Sequence, residues 1–361
     1  MPETRKTDDI STSSGASGAP APPTPVAPSP PSRRQKKPWI PFVVLYVVLV
    51  LGAAMFLVPF VWMVVTSLKT TDRVMIYPPE WLPKQTYFYY QSPTGRIAID
   101  PPLVDNDKGK ATIRMPGAET TTKVPSSTIS KEVRVAPKWS NYPDTWKEVP
   151  FALFTKNTLT LALLVVLGVT ISSSIVAFGF ARIPFPGREA LFMLMLSTMM
   201  LPGIVTLIPG YMLFRELGWL DSLKPLWVPA FFGGGAFNVF LLRQFFRTIP
   251  VELDEAAKMD GASWGQIYWR ILMPLTGPAT TTVALFSFIG AWKDFMGPLI
   301  FINSLEKQTL ELGLQTFQTL YGTHWEMMMA GAVIVVLPLI VIFFLGQKVF
   351  IQGIVMTGLK G

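Results

Sequence analysis

The sequence predicts an all-α polytopic membrane protein. It should have six transmembrane helices and a small, mostly β extracytoplasmic insertion between helices 1 and 2. Three observations predict this. Half of the 361 residues are apolar and 15% are charged, with a mean hydropathy of +0.39, too oily for an ordinary soluble domain. Six stretches free of Asp, Glu, Lys and Arg meet or approach the roughly 20 residues that a spanning helix needs. One long stretch between the first two instead carries short β-type runs separated by turn signals. A buried-core soluble helical protein would not supply six such runs.

Residues 1–38 are rich in Pro, Ser, Ala and Thr and cannot bury a core, so they are predicted to be a disordered tail. Arg33, Arg34, Lys36 and Lys37 close this tail, either anchoring the topology or touching anionic lipid. The first transmembrane helix occupies 39–67, with its charge-free run at Ile40–Thr66. A cleaved signal peptide does not fit, because the apolar run is too long and the preceding tail is long and mixed in charge. Residues 68–152 form the long outer segment. Within it "QTYFYYQ", "GRIAID", "ATIRMP" and "KEVRVAP" read as strands, with a turn at Asn106-Asp107-Lys108-Gly109. Trp81, Trp139, Tyr142 and Trp146 near its ends suit either the membrane interface or internal packing. The segment itself suits either a docking surface or a cap. Residues 153–350 form the transmembrane core, with runs at Asn157–Ala181, Ala190–Phe214, Pro225–Leu242, Ile271–Trp292 and Met327–Gln347. The fourth run is the shortest and holds Gly233-Gly234-Gly235. The fifth holds Pro274 and Pro278, so its helix should start near Pro278 and extend past Trp292. Residues 351–361 form a final tail.

Orientation follows from basic residues in short loops. The cluster before the first span places the N-terminus in the cytoplasm. The inner loops then carry Arg182 and Arg188, next Arg243, Arg247, Lys258 and Arg270, and finally Lys348 and Lys360. The short outer loops carry Arg215, Lys224, Lys293 and Lys307. Both termini are predicted to be cytoplasmic in a multi-pass protein of the cytoplasmic membrane, in contact with lipid.

Several functions are excluded. The net charge is +8, but no concentrated basic face with aromatics marks a nucleic-acid partner. The chain has no Cys and one His, which removes disulfides, thiolate metal sites and His clusters. His324 reads as a loop residue. No G-x-x-x-x-G-K-[ST] loop is present to cradle a phosphate. No catalytic residue or metal ligand is assigned, and no cofactor is expected on this chain.

The most informative stretch is "EAAKMDGASWGQIYWRILMP", Glu255–Pro274, inside a cytoplasmic loop at about 248–275. Pro250 suits a helix start, and Glu252, Asp254 and Glu255 complement the positive helix end. Leu253, Ala256 and Ala257 share a face, and Asp260-Gly261 supplies a stop. A second helix begins at Ser263, which has capping-box spacing to Gln266. Its apolar side is Trp264, Ile267, Tyr268 and Ile271. This helix–Gly turn–helix unit either lies on the lipid surface or docks in a partner's groove. The small residues Ala256 and Ala257 favour the groove.

The spacing resembles the EAA loop of ABC-importer permeases: E-A-A, three residues, G, nine residues, I-x-L-P. Here these are Glu255-Ala256-Ala257, Gly261 and Ile271-Leu272-Met273-Pro274, with Met273 in place of Leu. "NVFLLRQFFRTIPVELDEAAKMDGAS", "FSFIGAWKDFMGPLIF", "QTLELGLQTF" and "QKVFIQGIVMTGLKG" resemble the MalG-like permeases of carbohydrate ABC importers. The likeness covers about residues 38–77 and 137–361. It departs at the insertion, about 84–136, and at Trp292-Lys293-Asp294, where the family usually has W-N-D or W-N-E.

The resemblance implies the type I ABC importer permease fold and an ATP-driven import subunit that works by alternating access. It implies a second homologous permease subunit, two copies of an ABC ATPase using ATP and Mg, and an extracytoplasmic sugar-binding protein. In that reading Glu255, Ala256, Ala257, Asp260 and Gly261 form the ATPase-coupling helix and its turn. Glu255 contacts a basic ATPase residue, with helix-dipole stabilisation as its alternative or additional role. Gly358, Leu359, Lys360 and Gly361 form an ATPase-contacting tail. The loop at about Asn303–Glu326 either reaches into the binding protein or is an ordinary loop. Asn238, Trp292 and Asp294 are candidates for the substrate path, or equally for span packing. The cargo is a di- or oligosaccharide, or a related polyol or glycerol phosphate. The alternatives are an ABC permease for a non-sugar solute and a gradient-driven secondary transporter. The latter would place ionisable groups mid-span, and none lies within the six runs.

Overall fold

In lipid a chain must satisfy its own backbone polar groups, so apolar runs of span length fold as helices. A computed structural model describes residues 40–92, 95–100, 103–105, 110–114, 121–319 and 322–358. The predicted tail before residue 40, the turn at Asn106–Gly109 and the tail residues Leu359, Lys360 and Gly361 lie outside the described residues. Four helical stretches are long and apolar enough to cross a membrane, and two bent helix pairs qualify if each is one span. That matches the six expected spans.

The chain divides into two units, Met1–Met55 and Phe56–Gly361. The described residues of the first are the opening turns of helix α1 (Ile40–Ser67), with Val43 through Leu51 exposed. A helix that is apolar all round suits a lipid environment.

In the second unit, the segment after α1 forms two antiparallel three-stranded sheets. One pairs β1 (Lys84–Ser92) with β2 (Gly95–Ile99) and with β6 (Ile129–Val135). The other orders β3 (Leu103–Asp105), β4 (Lys110–Arg114) and β5 (Thr121–Pro125). Ile99, Ile113 and Val124 form the core of this insertion, with Phe88, Tyr90 and Ile129 against them. β3 and β5 lie outside the four expected strands. Helix α2 (Asn141–Glu148) is likewise an addition to a segment expected to be mostly β. It closes the end of α1, because Asn141 Nδ2 donates to the carbonyls of Ser67 and Lys69, both at 2.8 Å. The Ser67 carbonyl is one that the end of α1 leaves open, and Lys69 lies in the turn just beyond it. Each of the four aromatics makes a ring contact or hydrogen bond within the protein: Trp81 meets Trp62 edge-on, Trp146 stacks on Phe151, and Trp139 stacks on Tyr142, whose hydroxyl pairs with that of Ser67.

Helix α3 (Phe151–Arg182) begins earlier than the predicted Asn157 and is half buried along its span. The third expected span, Ala190–Phe214, is not one helix. It breaks into α4 (Arg188–Ser197), a 3-10 turn and α5 (Gly203–Glu216), bent by 96°. Pro202 causes the break, since it forces Leu201 into the extended region and cannot donate to the preceding turn. The fourth expected span, Pro225–Leu242, is interrupted too. Gly233, Gly234 and Gly235 all have positive φ, and α6 (Ala236–Thr248) starts after them. Gly234 sits where a Cβ would meet the Val169 carbonyl at 2.7 Å, so its bareness lets this turn press against α3.

Helix α7 (Glu252–Met259) follows. Helix α8 (Gly277–Trp292) starts as expected beside Pro278 but ends at Trp292 instead of extending past it. Asp294 Oδ1 accepts from the Gly297 amide at 3.0 Å, a side-chain turn that redirects the chain. The last span, α9 (Trp325–Gly358), exceeds the predicted Met327–Gln347 at both ends. α3 packs against α6 and α8. Its buried Ser172, Ser173 and Ser174 keep that contact close. The hydroxyls are satisfied: Ser172 donates to the Ala230 carbonyl, Ser173 to the Val169 carbonyl, and Ser174 pairs with Tyr268 Oη at 2.6 Å.

Candidate functional site

The helix–turn–helix unit forms as the sequence predicts. Asp260 is the C-cap of α7 and Gly261 follows at φ +82°. The Gly261 amide bonds the Lys258 carbonyl and the Ala262 amide bonds the Ala257 carbonyl, both at 2.9 Å. This is the Schellman arrangement of a glycine-terminated helix. Ser263 then caps the next turn: its amide donates to Gln266 Oε1 at 2.7 Å, and Gln266 N reaches its hydroxyl at 3.4 Å. Lys258 Nζ lies 3.6 Å from the centre of the Trp264 ring, bracing the turn. Ile267, Tyr268 and Leu272 are buried as an apolar side. The second helix does not run straight into the fifth span. It includes a π-helical turn at Ile267–Leu272 and meets α8 at 80°.

The face expected to hold Leu253, Ala256 and Ala257 together, with Ala256 and Ala257 toward a partner's groove, is split in the structure. Leu253 and Ala256 are exposed, together with Met259, while Ala257 packs on the core and Asp254 is buried. Glu255 stands exposed in the first turn. The outward face is therefore apolar, with one small residue, Ala256, between Leu253 and Met259 and an acidic edge at Glu255, a surface that suits a groove.

Two buried arginines brace this end. Arg182, the last residue of α3, donates through Nη2 to the Ile249 carbonyl at 2.7 Å. Its Nε lies 3.1 Å from Asp254 Oδ2, with both side chains about 5% exposed. The approach is off-line, so Arg182 Nε has no hydrogen-bond partner among the described residues, and the other carboxylate oxygen, Asp254 Oδ1, has none either. Burial pushes the Asp254 carboxyl up, and the Arg182 charge pulls it back only in part. Arg243 of α6 bonds Glu189 Oε1 at 2.6 Å and the Phe180 carbonyl at 3.2 Å, over the Phe192 ring. The sequence offers Arg182 and Arg243 only as loop charges and Asp254 only as a dipole partner. No local pattern pairs residues so far apart.

A cavity of about 530 Å³ lies further along the same helices, lined by Leu161, Val165 and Val169 of α3, by Asn238, and by Ser287 and Asp294 among others. Asn238 Nδ2 is tied to the Gly234 carbonyl at 2.8 Å. Two of the three predicted path residues are thus brought together. Trp292 is not with them. It is buried among Phe151, Phe154 and Val335, and its indole N–H donates to the Val335 carbonyl at 3.1 Å. The indole is a packing group, consistent with its large apolar body and single donor.

The loop from Asn303 is held by a residue that the sequence does not single out. Asp221, at φ +53°, accepts from the amides of Asn303 and Ser304, from the Ser304 hydroxyl and from Lys307 Nζ. Lys307 is the largest of the influences that hold its carboxyl far below the usual range. Among the described residues no group of three His, Cys, Asp or Glu could hold a metal ion.

Apolar spans around a partly polar cavity, with an exposed helix face at one end, define the class as a multi-pass membrane protein. Comparison with known proteins supplies the family. Residues 168–355 match the "Binding-protein-dependent transport system inner membrane component", and the chain belongs to that family. Its similar relatives include the arabinooligosaccharides transport system permease AraQ of Bacillus subtilis, 35% identical over 57% of this chain and 72% of that protein. The trehalose/maltose transport system permease MalG of Thermococcus litoralis is 32% identical over 58% and 76%. The sn-glycerol-3-phosphate transport system permease UgpE of Yersinia pestis is 30% identical over 60% and 79%. A solved bacterial ABC transporter for the acidic polysaccharide alginate shares the fold: TM-score 0.61, 21% identity, 86% of this chain and 96% of that one. Membership makes the chain a membrane transport subunit and not an enzyme. It implies a separate ATPase and a second permease subunit.

Proposed function

We propose that this chain translocates a carbohydrate, a di- or oligosaccharide or a related polyol or glycerol phosphate, across the cytoplasmic membrane by alternating access. An extracytoplasmic binding protein delivers the cargo, and the 303–326 loop, braced through Asp221 at its start, is its docking point. Two ATPase copies, using ATP and Mg, sit at the other end, and both termini are cytoplasmic. This chain binds no cofactor of its own.

The observation that carries the proposal is the outward face of α7. Leu253, Ala256 and Met259 are exposed beside Glu255, while the opposite face is fixed to the spans. Glu255 supplies the charge contact to the ATPase, and the Lys258 ammonium, held over Trp264, keeps the turn rigid behind it. Asn238 and Asp294 face the cargo in the cavity. The substrates named for the relatives, arabinooligosaccharides, trehalose or maltose, and glycerol 3-phosphate, support the sugar reading. The tail Gly358–Gly361 adds a second ATPase contact. Uptake of a labelled oligosaccharide into vesicles holding the full complex tests the proposal. Uptake should need both ATP and the binding protein. Gradient-driven uptake by this chain alone would overturn it.

A further inference from the structure

Arg182 touches three elements at once. It ends α3, holds the carbonyl of Ile249 just after α6, and lies against Asp254 of α7. Both α3 and α6 run from this joint to the cavity. Val169 lies about 20 Å up α3 from Arg182 and Asn238 about 15 Å up α6 from Thr248, at the α-helical rise. α7 is thus tied to α6 by the short link at 249–251 and to α3 by this one guanidinium, which also holds that link.

The contact is also incomplete. A buried carboxylate with one oxygen unpaired, facing a guanidinium whose Nε is unpaired, is a costly arrangement. Rotation of α7 by a fraction of a turn would align the pair or separate it, so it can differ between two states. Lys258 and Glu255 are the other charges near Asp254, and both stand on the exposed side of α7.

Resting on the permease reading above, we infer that the Arg182–Asp254 pair is the positioning joint that carries motion of the coupling helix to the cavity. Asp254 and Arg182 touch neither nucleotide nor cargo in this scheme. They act through α3 and α6.

The chain has no Cys, so Ser287→Cys places a single thiol of this chain in the cavity. In vesicles holding the full complex, ATP should change its rate of modification by a membrane-impermeant maleimide about fivefold or more. With Asp254→Asn added, assembly should persist and the ATP response should vanish. Asp254→Glu should restore part of it. If Asp254→Asn does not assemble, Arg182→Lys, which keeps the charge but cannot serve both partners, takes its place. A full ATP response in whichever variant assembles overturns the joint. Loss of assembly in both marks a purely structural pair and overturns it too. If Ser287→Cys alone shows no ATP response, the alternating-access reading fails, and the joint with it.

Discussion

Replacing Gly261 by Val alters the turn of the helix–turn–helix unit and little else. A Cβ at this position would meet no heavy atom within 4 Å outside the adjoining residues, so the Cβ itself is not crowded. The cost is backbone conformation. Gly261 sits at φ +82°, where an L residue pays about 1–2 kcal/mol and a β-branched one the upper end or more. That is a shift of roughly 5–30-fold away from the native turn. The two Schellman bonds, from the Gly261 and Ala262 amides, would loosen together. Helix α7 would then no longer hold its angle to the Ser263 turn. In reconstituted complexes we expect ATP hydrolysis to continue while cargo uptake per ATP falls by that factor. Gly261→Asn is the control, because Asn tolerates the left-handed region, and it should stay near native. Normal uptake per ATP in the Val variant would refute the reasoning. So would an Asn variant as impaired as the Val one.

Gly234→Ala should destabilise the complex by roughly 1–3 kcal/mol from overpacking alone, since its Cβ would fall 2.7 Å from the Val169 carbonyl; melting in detergent measures it. Asp221→Asn should release the 303–307 segment, read as faster hydrogen exchange at the Asn303 and Ser304 amides. In the native chain the Asp221 carboxyl titrates lower folded than unfolded, so its contribution is full above about pH 4 and is lost only as pH falls through the folded value. Exchange at those amides should thus stay slow at pH 4 and rise below it. Trp292→Phe should cost about 1 kcal/mol through the lost bond to Val335 and leave the KM for uptake unchanged. Asn238→Ala should do the reverse, raising KM more than it lowers the melting temperature.

The spans were legible because lipid imposes one rule on every residue of a run, so Ile40–Thr66 could be read almost to the residue. Breaks inside spans were harder. Pro202 and the three glycines stand in apolar text, and only the fold decides whether such residues bend a helix or end it. The Gly261 stop and the Ser263 cap were readable because they are local, spanning a turn or two. Arg182 and Asp254 were not, since their meaning lies in a contact between distant segments. Trp292 stayed open between path and packing for a related reason. Aromatic residues line sugar paths and also fill cores, and only the Val335 carbonyl above its N–H shows which applies.

Lys84 and Val135, the first residue of β1 and the last of β6, are paired partners across the sheet. Chain thus leaves and re-enters the membrane-proximal frame at points about 5 Å apart, the spacing of opposed residues in an antiparallel pair. Beyond that doorway the side-chain ties back to the segment after α1 include those of Thr86, which meets Arg73 and Asp72. A segment whose two ends meet at one strand pair is a natural splice point, where a reporter or a binding module could be joined between Lys84 and Val135 with its ends already side by side.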